Sequence, residues 1–191
     1  MTLVQDHRPA GTDQRDRFVA AMGNAATGVT VVATDGPGGR CAQTVSAMCS
    51  VSADPPSLLV CVNERSPLIE AVRRNGVFSV NVLDTGQAHV ADSFAGRSAA
   101  GRPYDFGCAD WETGRTGAPV LAQAAAAFEC VLERDTAQGT HRVLLGHAVA
   151  STPGSGAPLL YHARAYGAHR PITPPGATAP GSATVNEETA R

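Results

Sequence analysis

The chain contains no lysine; all 15 of its basic residues are arginine. That absence excludes a Schiff-base lysine and the lysine of a Walker-type phosphate loop. Aromatic residues are scarce at 5%, and charged residues reach only 17%. A net charge of −2 leaves no electrostatic footprint for nucleic acid or an anionic membrane surface. No apolar run approaches the roughly 20 residues that span a bilayer. Residues 1–17 lack the apolar core of a signal peptide, so a cytoplasmic location is expected. The five cysteines (Cys41, Cys49, Cys61, Cys108, Cys130) form no CxxC pair and read as reduced, structural thiols. The six histidines show neither an i, i+4 pair nor HExxH, so no metal site is expected. No GxGxxG follows a strand, which excludes a Rossmann dinucleotide site. The stretch from Gly96 to Ala100 fails as a GxSxG elbow because it ends in Ala100.

What the chain does have is a sufficient core. With 191 residues and 43% hydrophobic content, one globular domain is expected. Residues 1–12 read as a flexible arm, 13–170 as the domain, and the Pro/Gly/Ala/Thr-rich 171–191 as a disordered tail. Asp13 is expected to cap a helix to about residue 25, with Phe18, Met22 and Ala26 at helical spacing. Residues 27–34 and 40–50, split by a Gly/Pro turn, predict a hairpin. Residues 57–63 predict a buried strand. Ser66 as cap, Pro67 in the first turn and Gly76 as terminator predict a helix. Further strands are expected at 77–83, 124–134, 141–150 and 159–165, with a short helix at 85–94 and a long loop at 96–118. Strands outnumber helices and do not alternate with them regularly. The expected fold is mainly β, an antiparallel closed or half-closed barrel with flanking helices.

Two patterns carry candidate chemistry. Hydroxyls at Thr44, Ser46, Ser50 and Ser52 put small polar groups along an extended segment, against which a planar ligand can lie. The residues alone equally allow a strand whose hydroxyls face solvent. At Asn63–Ser66, a strand end runs into a helix start, whose free N–H groups suit a phosphate, with Arg65 as a cation. A plain helix cap beside a solvated arginine explains the same letters.

The chain resembles the flavin reductase family, the small partners of two-component flavin-dependent monooxygenases, over about residues 18–166. The resemblance rests on Ala26 to Val32, Thr44-Val45-Ser46-Ala47, Ser50-Val51-Ser52, Asp54-Pro55-Pro56, Phe78 to Leu83, Phe94-Ala95, Gly139-Thr140-His141 and Leu159 to His162. It implies a homodimeric split β-barrel with flavin near the dimer interface. It places the flavin ring and ribityl chain on Thr44, Val45, Ser46 and Ala47, with Ser50 and Val51 following. It places the flavin phosphate on Cys61, Val62, Asn63 and Ser66, with Phe94-Ala95 as the other wall; Arg97 enters as a cation by charge and position. It sets His141 beside flavin and nicotinamide, and Tyr166 near the nicotinamide. Gln43, Cys49, Thr140 and His147 depart from the family pattern.

The implied function is an NAD(P)H:flavin oxidoreductase. FAD is expected over FMN and NADH over NADPH, with diffusible reduced flavin passing to a separate monooxygenase. His141 would orient the nicotinamide and Ser46 would serve near flavin N5. The alternatives are a split-barrel binding protein without turnover and an oxidase of the pyridoxamine-phosphate type. The latter fits a lysine-free chain poorly.

Overall fold

The computed structural model describes residues 11–99 and 101–172. Most of the expected arm and tail therefore lies outside the described residues. Within them the chain runs α1 (Thr12–Gly23), β1 (Thr27–Gly28), β2 (Thr30–Thr34), β3 (Cys41–Val45), β4 (Met48–Ala53), β5 (Pro56–Asn63), α2 (Pro67–Asn75) and β6 (Val77–Val82). A 3-10 turn (Thr85–Gln87) leads into α3 (Ala88–Phe94). A second 3-10 turn (Phe106–Cys108) precedes β7 (Trp111–Thr113), β8 (Pro119–Leu121), β9 (Ala126–Gln138), β10 (His141–Pro153), β11 (Leu159–His162) and β12 (Ala165–Ala168).

Seven strands form one antiparallel sheet in the order β3-β2-β6-β9-β10-β5-β4. Its edge strands, β3 and β4, are consecutive in the chain, with only Ser46 and Ala47 between them. So short a link spans roughly 10 Å at most, so the sheet must curl until its edges meet at that corner. There the Cys61 N–H donates to the Ala47 carbonyl at 3.0 Å. Among the described residues β3 and β4 do not pair along their length. The result is a split barrel, as expected.

β2 is buried at every position, Thr30 to Thr34, because both its faces are covered. Val32 points into the barrel with Val60, Val62, Phe78, Val80 and Leu144. Val31 and Ala33 face a second cluster with Leu83, Val90, Phe94 and Leu159. Complete burial of such a side chain stabilises by about 1.5–3 kcal/mol. The predicted strand over 27–34 divides at Val29, whose N–H donates to Leu159 and whose carbonyl accepts from Leu83. The first half thereby joins a three-stranded sheet, β1-β11-β12. Likewise the predicted strand over 40–50 breaks at the barrel corner.

α2 forms as its punctuation predicts. The Ser66 side chain accepts from the Leu68 N–H at 3.2 Å, Pro67 opens the first turn, and Gly76 ends it at φ 71°. That left-handed value suits a residue without Cβ. Leu68, Ile69, Ala71 and Val72 are buried. α1 departs from expectation: Gly11 is its N-cap, and Asp13 instead pairs with Arg17 at 2.9 Å. Its predicted apolar face is open, with Phe18 63% and Met22 51% exposed. No helix among the described residues is long and apolar enough to cross a membrane.

Candidate active site

The barrel corner gathers residues that are far apart in the chain. Gln43, Thr44, Val45, Ser46 and Ala47 line one side of a small cavity of about 180 Å³; Cys61, Val62, Asn63 and His141 line the other. His141 starts β10 directly across from Asn63. The Glu64 N–H donates to the Thr140 carbonyl at 3.1 Å and locks the strand start to the α2 corner. The Thr140 hydroxyl lies 3.0 Å from His141 Nδ1. Thr44 donates its hydroxyl to the Ala91 carbonyl of α3 at 2.7 Å, which leaves Ser46, exposed at the corner, as the hydroxyl facing outward.

Gln43 and Asn63 also line a cleft of about 560 Å³, together with Arg40, Arg65, Ser66, Tyr104 and Phe106. The Ser66 hydroxyl donates to Gln43 Oε1, so the family-atypical glutamine braces the helix cap. Asn63 Oδ1 accepts from the Arg65 N–H at 3.0 Å, which shapes the turn that presents Arg65. Among the described residues no carboxylate lines the cleft. Cys41 does, and burial pushes its thiol up, so it stays neutral.

This donor set fits a phosphorylated planar ligand. A helix N-terminus carries roughly half a positive charge, and Arg65 supplies a full one beside it. A larger cavity of about 690 Å³ fits less well: its charged or titratable lining is Asp84, His89 and Asp110, with no arginine among the described residues. Two carboxylates disfavour an anionic ligand.

The remaining sequence-predicted residues lie elsewhere. Ser50 lines a separate cavity of about 140 Å³ on β4, and Val51 is 52% exposed. Phe94 is wholly buried and packs edge-on against Phe106 and Trp111, at 5.1 and 5.6 Å between ring centroids. Ala95 caps α3. Arg97 reaches Asp92 and the Tyr166 hydroxyl, each at 3.2 Å, while that hydroxyl donates to Asp92 at 2.8 Å. Asp92 first, then Tyr166, hold the Arg97 guanidinium above its usual value; burial, then Asp92, raises the Tyr166 phenol. Sequence reasoning missed Arg40, Tyr104 and Phe106. The available signal was two aromatics two apart in an otherwise polar Gly/Pro loop.

A barrel with a polar, cation-bearing corner of this kind defines a class. The flavin reductase like domain matches residues 22–170, and the chain belongs to that family. It is 41% identical over 153 residues to the FMN reductase (NADH) RutF of Ancylobacter novellus, covering 80% of this chain and 83% of that one. Among solved structures it resembles BorF, the flavin reductase component of a bacterial two-component tryptophan halogenase. The TM-score is 0.73 at 34% identity, over 81% of this chain and 97% of that one. It also resembles the NADH:FAD oxidoreductase SgcE6 of Streptomyces globisporus, in complex with NAD and FAD fragments. There the TM-score is 0.74 at 28% identity, over 89% and 99% of the two chains.

Proposed function

We propose that this flavin reductase oxidises NADH, reduces a free flavin, and releases it to a separate monooxygenase. The observation that carries the reading is that the Thr44–Ala47 corner, Asn63 and His141 line one cavity, while Asn63, Arg65 and Ser66 line a cleft that shares Gln43 and Asn63 with it and has no carboxylate among the described residues. Bound together, the two cofactors supply hydride transfer from nicotinamide C4 to flavin N5, so the chain needs no nucleophile or metal.

Its residues position and screen. The Thr44–Ala47 backbone, with Val45 and Val62 buried behind it, offers a rigid face for the ring. Asn63, Arg65 and Ser66 hold the phosphate at the start of α2. His141 sets the edge on which the nicotinamide rests, and the Ser46 hydroxyl offers a partner near N5. Orientation of this kind is worth up to about 7–11 kcal/mol. Delivery of reduced flavin to a separate enzyme is supported by BorF, the reductase component of a two-component halogenase. Delivery to a monooxygenase is supported by the likeness to the styrene monooxygenase flavin reductase of Pseudomonas putida. Both FMN and FAD are supported, the first by RutF and the second by SgcE6. NADH is favoured over NADPH on the same relatives. In this reading the protein acts in the cytoplasm as a homodimer, for which exposed Phe18, Met22, Val51 and Val131 provide apolar surface.

The test is loss of NADH absorbance by the purified protein with FMN, FAD or no flavin added, repeated with NADPH. Oxidation that requires flavin and saturates with it is expected. Flavin binding without oxidation of either nucleotide would leave a binding protein. The His141→Ala variant should lose turnover while keeping flavin affinity.

A further inference from the structure

The α2 corner offers fewer open donors than a helix start ordinarily would. The Glu64 N–H donates to the Thr140 carbonyl, the Arg65 N–H to Asn63 Oδ1, and the Ser66 N–H to the Asn63 carbonyl. Pro67 has no N–H. The Leu68 N–H donates to Ser66 Oγ and the Ile69 N–H to the Ser66 carbonyl, each at 3.2 Å. Every backbone N–H present from residue 64 to residue 69 thus has a partner. The positive end of the helix dipole still acts on the cleft, but a bound phosphate needs side-chain donors there. Ser66 has one hydroxyl hydrogen, and it goes to Gln43 Oε1. Gln43 comes from the middle of β3, between Cys41 and Val45, which pack on the barrel core. One half of its amide is therefore engaged, while Nε2 has no partner among the described residues. With Asn63, Gln43 lines both the cavity of about 180 Å³ and the cleft of about 560 Å³.

These bonds run in series from the Leu68 N–H to the Ser66 hydroxyl and on to Gln43 Oε1, with Nε2 at the open end. Hydrogen bonds in series polarise one another, so donation into Oε1 makes Nε2 a better donor. We propose that Gln43 is a specificity-determining residue of this chain: its Nε2 donates to the flavin phosphate and carries the polarity of the α2 start to it through Ser66. Arg65 supplies the charge beside it, and Ser66 is a positioning residue that orients the amide. Gln43 departs from the family pattern, so the contact belongs to this chain's own residue. The inference rests on the flavin reading of the two spaces.

Titration of FMN and riboflavin, which differ only by the phosphate, into wild type, Gln43→Met and Gln43→Glu tests the contact, with a thermal melt of each protein. Wild type should bind FMN more tightly than riboflavin. Gln43→Met removes the donor at similar volume and should weaken FMN about tenfold, with riboflavin affinity unchanged. Gln43→Glu keeps an acceptor for the Ser66 hydroxyl, so the α2 cap and the melt should hold. Its second oxygen faces the phosphate with like charge, so FMN should weaken by more than about tenfold while riboflavin binds as before. Equal loss of both flavins in Gln43→Met, with a lowered melt, would reduce Gln43 to a brace for α2 and overturn the proposal. FMN affinity unchanged in both variants would also overturn it, and would leave the reductase reading intact. FMN held through Gln43 by a protein that oxidises neither NADH nor NADPH would do the reverse.

Discussion

The two helix corners that border the barrel opening began as equals in the sequence and ended with different roles. At the α2 corner, Asn63, Arg65 and Ser66 all line the cleft. At the α3 corner, Phe94 turns inward to complete a buried aromatic cluster, and Arg97 is engaged by Asp92 and Tyr166. The difference lies in what each helix buries. α2 is amphipathic, with its apolar residues covering the barrel and its N-terminus free to face the cleft. α3 is a short helix whose Val90, Ala91, Ser93 and Phe94 are all buried, so its end belongs to the core. A family motif can therefore mark packing as readily as ligand contact.

That contrast can be broken by substitution. Phe94→Ala should cost the most, about 3–5 kcal/mol of stability, read as a lowered thermal midpoint. The folded fraction should bind flavin with unchanged affinity. A large loss of affinity at constant stability would instead return Phe94 to the site. Next comes Arg65→Gln, which removes a charged contact worth about 1.5–3 kcal/mol. Flavin dissociation constants should rise more than about tenfold while the melt stays put; equal binding by riboflavin and FMN in the wild type would deny the phosphate its role.

The far end of α2 gives a smaller effect. Asp135 accepts from Arg73 of α2 at 2.5 Å and from Arg142 of β10. Partial burial works against its charge, but the hydrogen bonds from Arg142 and Arg73 outweigh it and hold the carboxyl below its usual value. A depressed carboxylate stabilises the fold above the unfolded value of about 3.9 and loses that contribution as pH falls through the lower folded value. Asp135→Asn should cost about 1 kcal/mol at neutral pH. It should also flatten the acid limb of the stability profile below about pH 4; parallel acid limbs would count against the ion pair. Least affected is Arg97→Ala, whose side chain is 58% exposed. Its cost should stay within about 0.5 kcal/mol, with flavin affinity unchanged. A tenfold loss of affinity would make the α3 corner a second phosphate wall.

The helix at 67–75 was legible because its signals are local: cap, proline, apolar spacing and terminal glycine all fall within a dozen letters. The strands were legible as β-branched runs, but their breaks were not. Val29 divides a strand because Leu159 and Leu83 pull its two polar groups into different sheets, and neither neighbour is visible from the run itself. The hydroxyl segment at 44–52 could be read as a ligand surface, yet only the fold separates its halves. Thr44 to Ala47 face the cavity with Asn63 and His141, while Ser50 and Val51 continue onto the exposed edge.

By itself, then, the sequence determined a lysine-free, weakly charged antiparallel β domain, an α2 start suited to a phosphate, and a family. Those depend on composition and on residues close together in the chain. Tertiary structure decided that β3 and β4 curl to one corner and that His141 stands across from Asn63. It also decided that Phe94 is core and that Arg40, Tyr104 and Phe106 share one cleft. Each of those outcomes depends on contacts between residues distant in the chain, set by strand register and by packing on both faces of β2.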